Sequence, residues 1–171
     1  MNKNFFTTFF WVIGFSIFLG NCQSNSASSQ KKSDIPSIEL LSLDSSSVFQ
    51  TNTLSRKKPV VLLFFNTTCD HCQKEAVDLV KNKGDLKKIQ LVMISTESLN
   101  AIRIFYEQYS LSEINKLIIG KDFHYAGIKF FNYESVPYCA IYSREHLYLD
   151  SLERDFNTQA ILQKLKNRGE L

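Results

Sequence analysis

From residue 35 onward the chain alternates dense apolar runs with segments whose apolar residues recur every three or four positions. PVVLLFF (59–65) has no polar side chain and is β-branched at its start, which predicts a central strand covered on both faces. IQLVMIS (89–95) predicts a second buried strand, and KLIIG (116–120) a third, shorter one. Between the first two, a helix is predicted from Cys69 to Asn82. There Ala76, Leu79, Val80 and Lys83 keep near-helical spacing with Cys72, and Gly84 is expected to stop it. ESLNAIRIFYEQYSL (97–111) is amphipathic, with Leu99, Ile102, Phe105, Tyr106 and Tyr109 on one side.

The two ends of this region follow other patterns. IPSIELLSLDSSSVFQTN (35–52) alternates weakly around the polar stretch Asp44–Ser47, the mark of a hairpin of two short strands. FHYAGIKFF (123–131) reads as a short helix. PYCAIYS (137–143) and HLYLDSL (146–152) read as an antiparallel pair turning at Arg144–Glu145. NTQAILQKLKN (157–167) is a terminal helix capped by Asn157, with Ala160, Ile161, Leu162 and Leu165 as its apolar residues. The alternation of strands and helices predicts an α/β fold: a central mixed, mostly parallel sheet with helices on both faces and an N-terminal hairpin.

The first 34 residues follow a different rule. MNKN carries one lysine, and FFTTFFWVIGFSIFLG continues without a charge. That run is shorter than the roughly 18–20 residues that span a bilayer comfortably, and it reads as a secretory signal. LGNC (19–22) follows and resembles the lipobox of bacterial lipoproteins, although Asn21 stands where that family has a small residue. The resemblance implies a signal peptide over residues 1–21 and lipidation at Cys22. CQSNSASSQKKSD (22–34) lacks aromatic and β-branched residues and is read as a flexible tether to a domain over 35–171. The only tryptophan, Trp11, lies in the signal segment.

Composition narrows the function classes. Hydrophobic residues make up 44% and charged residues 22%, enough for a real core. With a net charge of +3 and basic clusters that are short and scattered (Lys31-Lys32, Arg56-Lys57-Lys58, Lys87-Lys88), no nucleic-acid partner is expected.

The chemistry concentrates in CDHC, Cys69 to Cys72. Structural zinc takes four ligands, whereas this is one pair, and His71, His124 and His146 show no ligand spacing. Copper(I) needs fewer, softer ligands and stays open. A structural bridge over so small a loop would remove little chain entropy. Electron exchange fits the position. Cys69 falls where the strand ends and the helix begins, and unpaired backbone N–H groups there favour an anion. The thiolate is the attacking species, so Cys69 is the expected nucleophile and Cys72, one turn in, the resolving thiol. His71 could support the thiolate or be an exposed helix residue.

PVVLLFFNTTCDHCQKEA (59–76) resembles the strand, Cys-x-x-Cys motif and helix of thioredoxin-like proteins. It is most similar to the extracytoplasmic, membrane-tethered thiol–disulfide oxidoreductases that include those of cytochrome c maturation. The resemblance implies a cis proline at Val136-Pro137 beside the pair, shaping the groove for substrate backbone. It implies a proton-relaying carboxylate at Glu75, and no cofactor beyond the Cys69–Cys72 couple. Thr68 stands where the family has an aromatic residue, which leaves a polar substrate surface. Leu63 stands where thioredoxin has a buried Asp, and Asp70-His71 replaces the Gly-Pro of general reductants. Cys139 is either a small buried hydrophobe or a third redox thiol. The implied partners are protein dithiols or disulfides and an electron donor or acceptor. The implied place is the cell envelope, lipid-anchored and facing the periplasm. The rival readings are a copper(I) metallochaperone and a peroxiredoxin-like peroxidase. The second is disfavoured because no proline precedes Cys69 closer than Pro59, whereas that family carries Pro-x-x-x-Thr-x-x-Cys.

Overall fold

A computed structural model describes residues 34–171. The signal segment 1–21, Cys22 and the tether up to residue 33 lie outside the described residues. Among the described residues no helix is long and apolar enough to cross a membrane.

The chain begins with β1 (Glu39–Ser42) and β2 (Val48–Gln50), an antiparallel hairpin. Its turn forms because Asp44 Oδ1 accepts from the Ser42 hydroxyl at 2.5 Å and the Ser46 N–H at 3.0 Å. Then follow β3 (Val60–Phe64), α1 (Asp70–Lys81), the single turn α2 (Lys83–Leu86) and β4 (Gln90–Ser95). Next come α3 (Leu99–Gln108), β5 (Ile118–Asp122), α4 (Ala126–Phe131), β6 (Tyr138–Tyr142), β7 (Tyr148–Glu153) and α5 (Thr158–Asn167).

All seven strands form one sheet in the order β2-β1-β5-β4-β3-β6-β7. It is mixed, as expected, but not mostly parallel: the parallel pairings are confined to its centre. β3 pairs parallel with β4, and β4 with β5, while the four outer pairings are antiparallel. The reason is local. Only the steps from β3 to β4 and from β4 to β5 are crossed by a helix long enough to return the chain to the same edge, whereas β6 and β7 are joined by a tight turn at Arg144–Glu145.

β3 is buried along its whole length, so both faces must be covered. Val61 and Leu63 face a core shared with Leu79 of α1, Ile102 and Phe105 of α3, and Ile161 and Leu165 of α5. Val60, Leu62 and Phe64 face the other core, closed by Phe131 of α4 and by Ile35, Ile38 and Leu54. Right-handed crossovers account for the sidedness: two successive steps in one direction put α1 and α3 on the same face.

Two expectations need correction. Gly84 does not stop α1, because the helix ends at Lys81 with Asn82 as its C-cap, and Gly84 sits inside α2. The Asn82 amide donates to the Asp78 carbonyl at 2.8 Å and to Asp78 Oδ1 at 3.0 Å, which satisfies the helix end without a glycine. The amphipathic segment is also shorter than its apolar pattern. α3 starts after Ser98, whose hydroxyl accepts from the Ala101 N–H, and its last apolar residues run into a 3-10 turn at Leu111–Glu113.

A candidate thiol–disulfide site at the carboxyl end of the central strands

Cys69 is the N-cap of α1, half-buried, at the point where β3 has run out. Its backbone N–H donates to the Asn66 carbonyl at 3.3 Å, and its carbonyl accepts from the Gln73 N–H at 3.0 Å, the first bond of the helix. The loop before it is tied on three sides. Asn66 Oδ1 accepts from the Thr68 N–H at 2.8 Å and from its hydroxyl at 2.7 Å. The Thr67 N–H donates to Glu97 Oε2 at 2.5 Å, and the Thr67 carbonyl accepts from the Gln73 amide at 3.1 Å. Thr68, next to Cys69 in the chain, is exposed.

The loop before β6 closes the other side. The Val136–Pro137 peptide is cis. The Cys69 thiol donates to the Val136 carbonyl oxygen at 3.5 Å, which brings together two segments 67 residues apart in sequence. Pro137 is buried and Val136 half-buried.

Cys72 lies one turn into α1 and is 2% exposed. Burial pushes its thiol well above the ordinary cysteine range, and the neighbouring Cys69 side chain adds to this by hydrogen bond and by charge. A thiol so placed needs a base to become a nucleophile. Glu75 follows at i+3 on the same helix face and is 3% exposed. Neither of its carboxylate oxygens has a hydrogen-bond partner. Burial, then the charge of Asp78, pushes its carboxyl up to about 8. Glu75 also sits near Cys139, whose pKa is raised well above the usual thiol value by burial first and by the Glu75 charge second. Cys139 is fully buried, opposite Leu63 in the sheet.

A cavity of about 510 Å³ opens along α1, with Glu75 on its wall and His71, Lys74, Arg154 and Asp155 among its lining. His71 is exposed on α1, and its Nδ1 is 2.6 Å from Asp155 Oδ1, so the imidazole is engaged by the β7–α5 loop. Among the described residues, no group of three or more His, Cys, Asp or Glu is placed to hold a metal ion.

The residue pattern does not mark four further contributors. Glu97, Gln73, Arg154 and Asp155 act through contacts between segments distant in sequence or through loop geometry. Asn66 was readable, since Asn two residues before a loop N–H commonly closes an Asx turn.

The model of the AhpC/TSA family matches residues 32–134, more than half of the chain and including both thiols of the motif. The chain belongs to the AhpC/TSA family. No curated protein matches it. Among solved structures it is similar to DsbF of Mycobacterium tuberculosis, at 17% identity over 77% of this chain and 94% of that one, with a TM-score of 0.65. It is similar to a secreted Mycobacterium tuberculosis disulfide oxidoreductase homologous to E. coli DsbE, at 18% identity over 81% and 98%, TM-score 0.63. It is also similar to the reduced 2-Cys peroxiredoxin of Plasmodium vivax, at 16% identity over 80% and 94%, TM-score 0.60. At these identities the likeness establishes the thioredoxin-like fold. Membership of the AhpC/TSA family, with the paired thiols, makes the chain a thiol-based redox enzyme.

Proposed function

We propose that this AhpC/TSA protein exchanges disulfides with extracytoplasmic proteins through Cys69 and Cys72. The observation that carries the reading is the asymmetry of the pair: one sulfur reachable at a helix N-cap, the other buried one turn behind it, with an unpartnered carboxyl at i+3 on the same helix. In the reducing direction the Cys69 thiolate attacks a substrate disulfide. A mixed disulfide forms, and one substrate sulfur leaves as thiolate. Glu75 takes the proton of Cys72, whose thiolate then attacks the Cys69 sulfur. The products are the Cys69–Cys72 disulfide and a substrate dithiol, two electrons having passed to the substrate. The same steps reversed oxidise a dithiol. No further cofactor enters either direction.

The lipobox-like LGNC and the polar tether support a lipid-anchored domain facing the periplasm, recycled by an envelope electron donor or acceptor. Reduction of insulin disulfides by the reduced protein tests the exchange reading. Wild type is expected to be active and Cys69→Ser inactive, and equal activity of the two would end it.

Peroxide reduction at Cys69 is the second reading, supported by the family match and by the likeness to a peroxiredoxin. The local sequence weighs against it. Leu62 and Asn66 occupy the places of the proline and threonine in the Pro-x-x-x-Thr-x-x-Cys pattern. Thiol-dependent peroxide consumption that exceeds disulfide exchange would decide for it.

A further inference from the structure

The two-residue turn Arg154–Asp155, just after β7, touches both walls of the site. Asp155 Oδ1 meets His71 Nδ1 of the Cys-x-x-Cys motif at 2.6 Å. The Arg154 N–H donates to the Pro137 carbonyl at 2.9 Å, and Arg154 Nε donates to the Ser135 hydroxyl at 3.3 Å. One side of the turn thus holds the first turn of α1, and the other holds the cis-proline loop. Between these two walls lies the 3.5 Å contact of Cys69 Sγ with the Val136 carbonyl. Arg154 is also in the left-handed region at φ 63°, which costs a non-glycine residue free energy and persists only where the surroundings impose it. Nothing in the residue's own type calls for that conformation: position 154 is an arginine, neither the glycine nor the asparagine that adopts it readily.

We propose that the Arg154–Asp155 turn is a positioning clamp that sets the spacing between the motif helix and the cis-proline loop for an extended polypeptide substrate. Small disulfides need only the Cys69 sulfur. A polypeptide must also lie along the Val136 backbone, so its binding depends on that spacing. The inference rests on the disulfide-exchange reading of the site. Both clamp residues act through others: Asp155 through His71, Arg154 through Ser135 and Pro137. Asp155 is itself largely exposed, and a single exposed ion pair is worth little, so the effect is read on substrate binding rather than on stability.

The test compares two substrates on the full chain. One is a disulfide-bonded peptide of about ten residues, followed at steady state with a small dithiol that re-reduces the Cys69–Cys72 disulfide each cycle. The other is the small aromatic disulfide DTNB, whose first thiolate release reports attack by Cys69. Asp155→Ala and Arg154→Gly are expected to raise the peptide KM roughly three- to tenfold, with kcat and the DTNB rate within twofold of wild type. Glycine adopts the left-handed conformation freely, so Arg154→Gly keeps the backbone while removing the Ser135 contact. Asp155→Glu, which can still reach His71, is expected to restore KM. An unchanged peptide KM in both variants overturns the clamp, as does a parallel loss in the peptide and DTNB reactions. Wild type that reacts with DTNB but turns over no peptide disulfide overturns the exchange reading itself, a result distinct from either.

Discussion

The Val136 carbonyl oxygen accepts from the Cys69 thiol at 3.5 Å, and this contact joins the end of β3 to the loop that opens β6. Two antiparallel neighbours in the sheet, β3 and β6, therefore deliver the Cys69 sulfur and the Val136 backbone to one end of the sheet. The polar Thr68 on the exposed side, its hydroxyl turned back onto Asn66, leaves the approach without an aromatic platform.

Glu75 is expected to control the resolving step. Its carboxyl is pushed up to about 8, so below that pH it holds a proton and cannot accept one from Cys72. The rate at which Cys72 displaces a leaving group from a Cys69 mixed disulfide should rise with pH through about 8 in wild type. Glu75→Gln should flatten that rise and slow the step at pH 8 by roughly a hundredfold or more, the scale of a lost general base. Stopped-flow release of the second thiolate from DTNB measures it. An unchanged pH profile in the variant would remove Glu75 from the chemistry.

The same carboxyl couples stability to pH. The folded value of about 8 exceeds the ordinary 4.5, so between the two the folded state holds a proton that the unfolded chain has lost. This contribution is fully present below the ordinary value, falls as pH rises through the window, and levels off above about 8. The slope is at most about 1.4 kcal/mol per pH unit. His146, whose pKa is lowered by burial, opposes it within the same window. Urea unfolding of the reduced protein at pH 5, 6.5 and 8, with Glu75→Gln in parallel, cancels the histidine. Wild type should lose stability relative to the variant as pH rises.

Gly127 is where α4 presses onto the sheet. A Cβ there would stand 2.2 Å from Cε1 of Phe64, a buried ring that also contacts Phe131 and Tyr138. The close approach is held by Asp122, whose carboxylate accepts from the Ala126 and Gly127 N–H groups at 3.0 and 2.8 Å. Gly127→Ala should cost about 1–3 kcal/mol by overpacking, measurable as a shifted urea midpoint at unchanged slope. An unshifted midpoint would mean that Phe64 turns aside freely.

Much of this architecture was legible in the order of residues. The uninterrupted PVVLLFF became the doubly covered β3, and the hairpin, the Arg144–Glu145 turn and the Asn157 cap fall where their side chains place them. Such features depend on neighbours in sequence, and sequence records those directly. Gly84 misled because a glycine is only one way to end a helix, and Asn82 ended it first. The two cysteines were legible from spacing, but the engagement of His71 was not. Its partner, Asp155, lies 84 residues further along the chain and meets it only after β7 has been laid beside β6. Glu97 escaped for the same reason, since it accepts from Thr67 30 residues earlier. Asp122 bonds N–H groups close in sequence, but a buried carboxylate looks in sequence like any surface acid.

The central claim is that Cys69 is the sulfur that attacks. Its most direct test is to react Cys72→Ser with a peptide disulfide and map the adduct by mass spectrometry. A stable mixed disulfide on Cys69 alone, absent from Cys69→Ser, is the result expected. No adduct on Cys69, or one carried on Cys139 instead, would contradict the account.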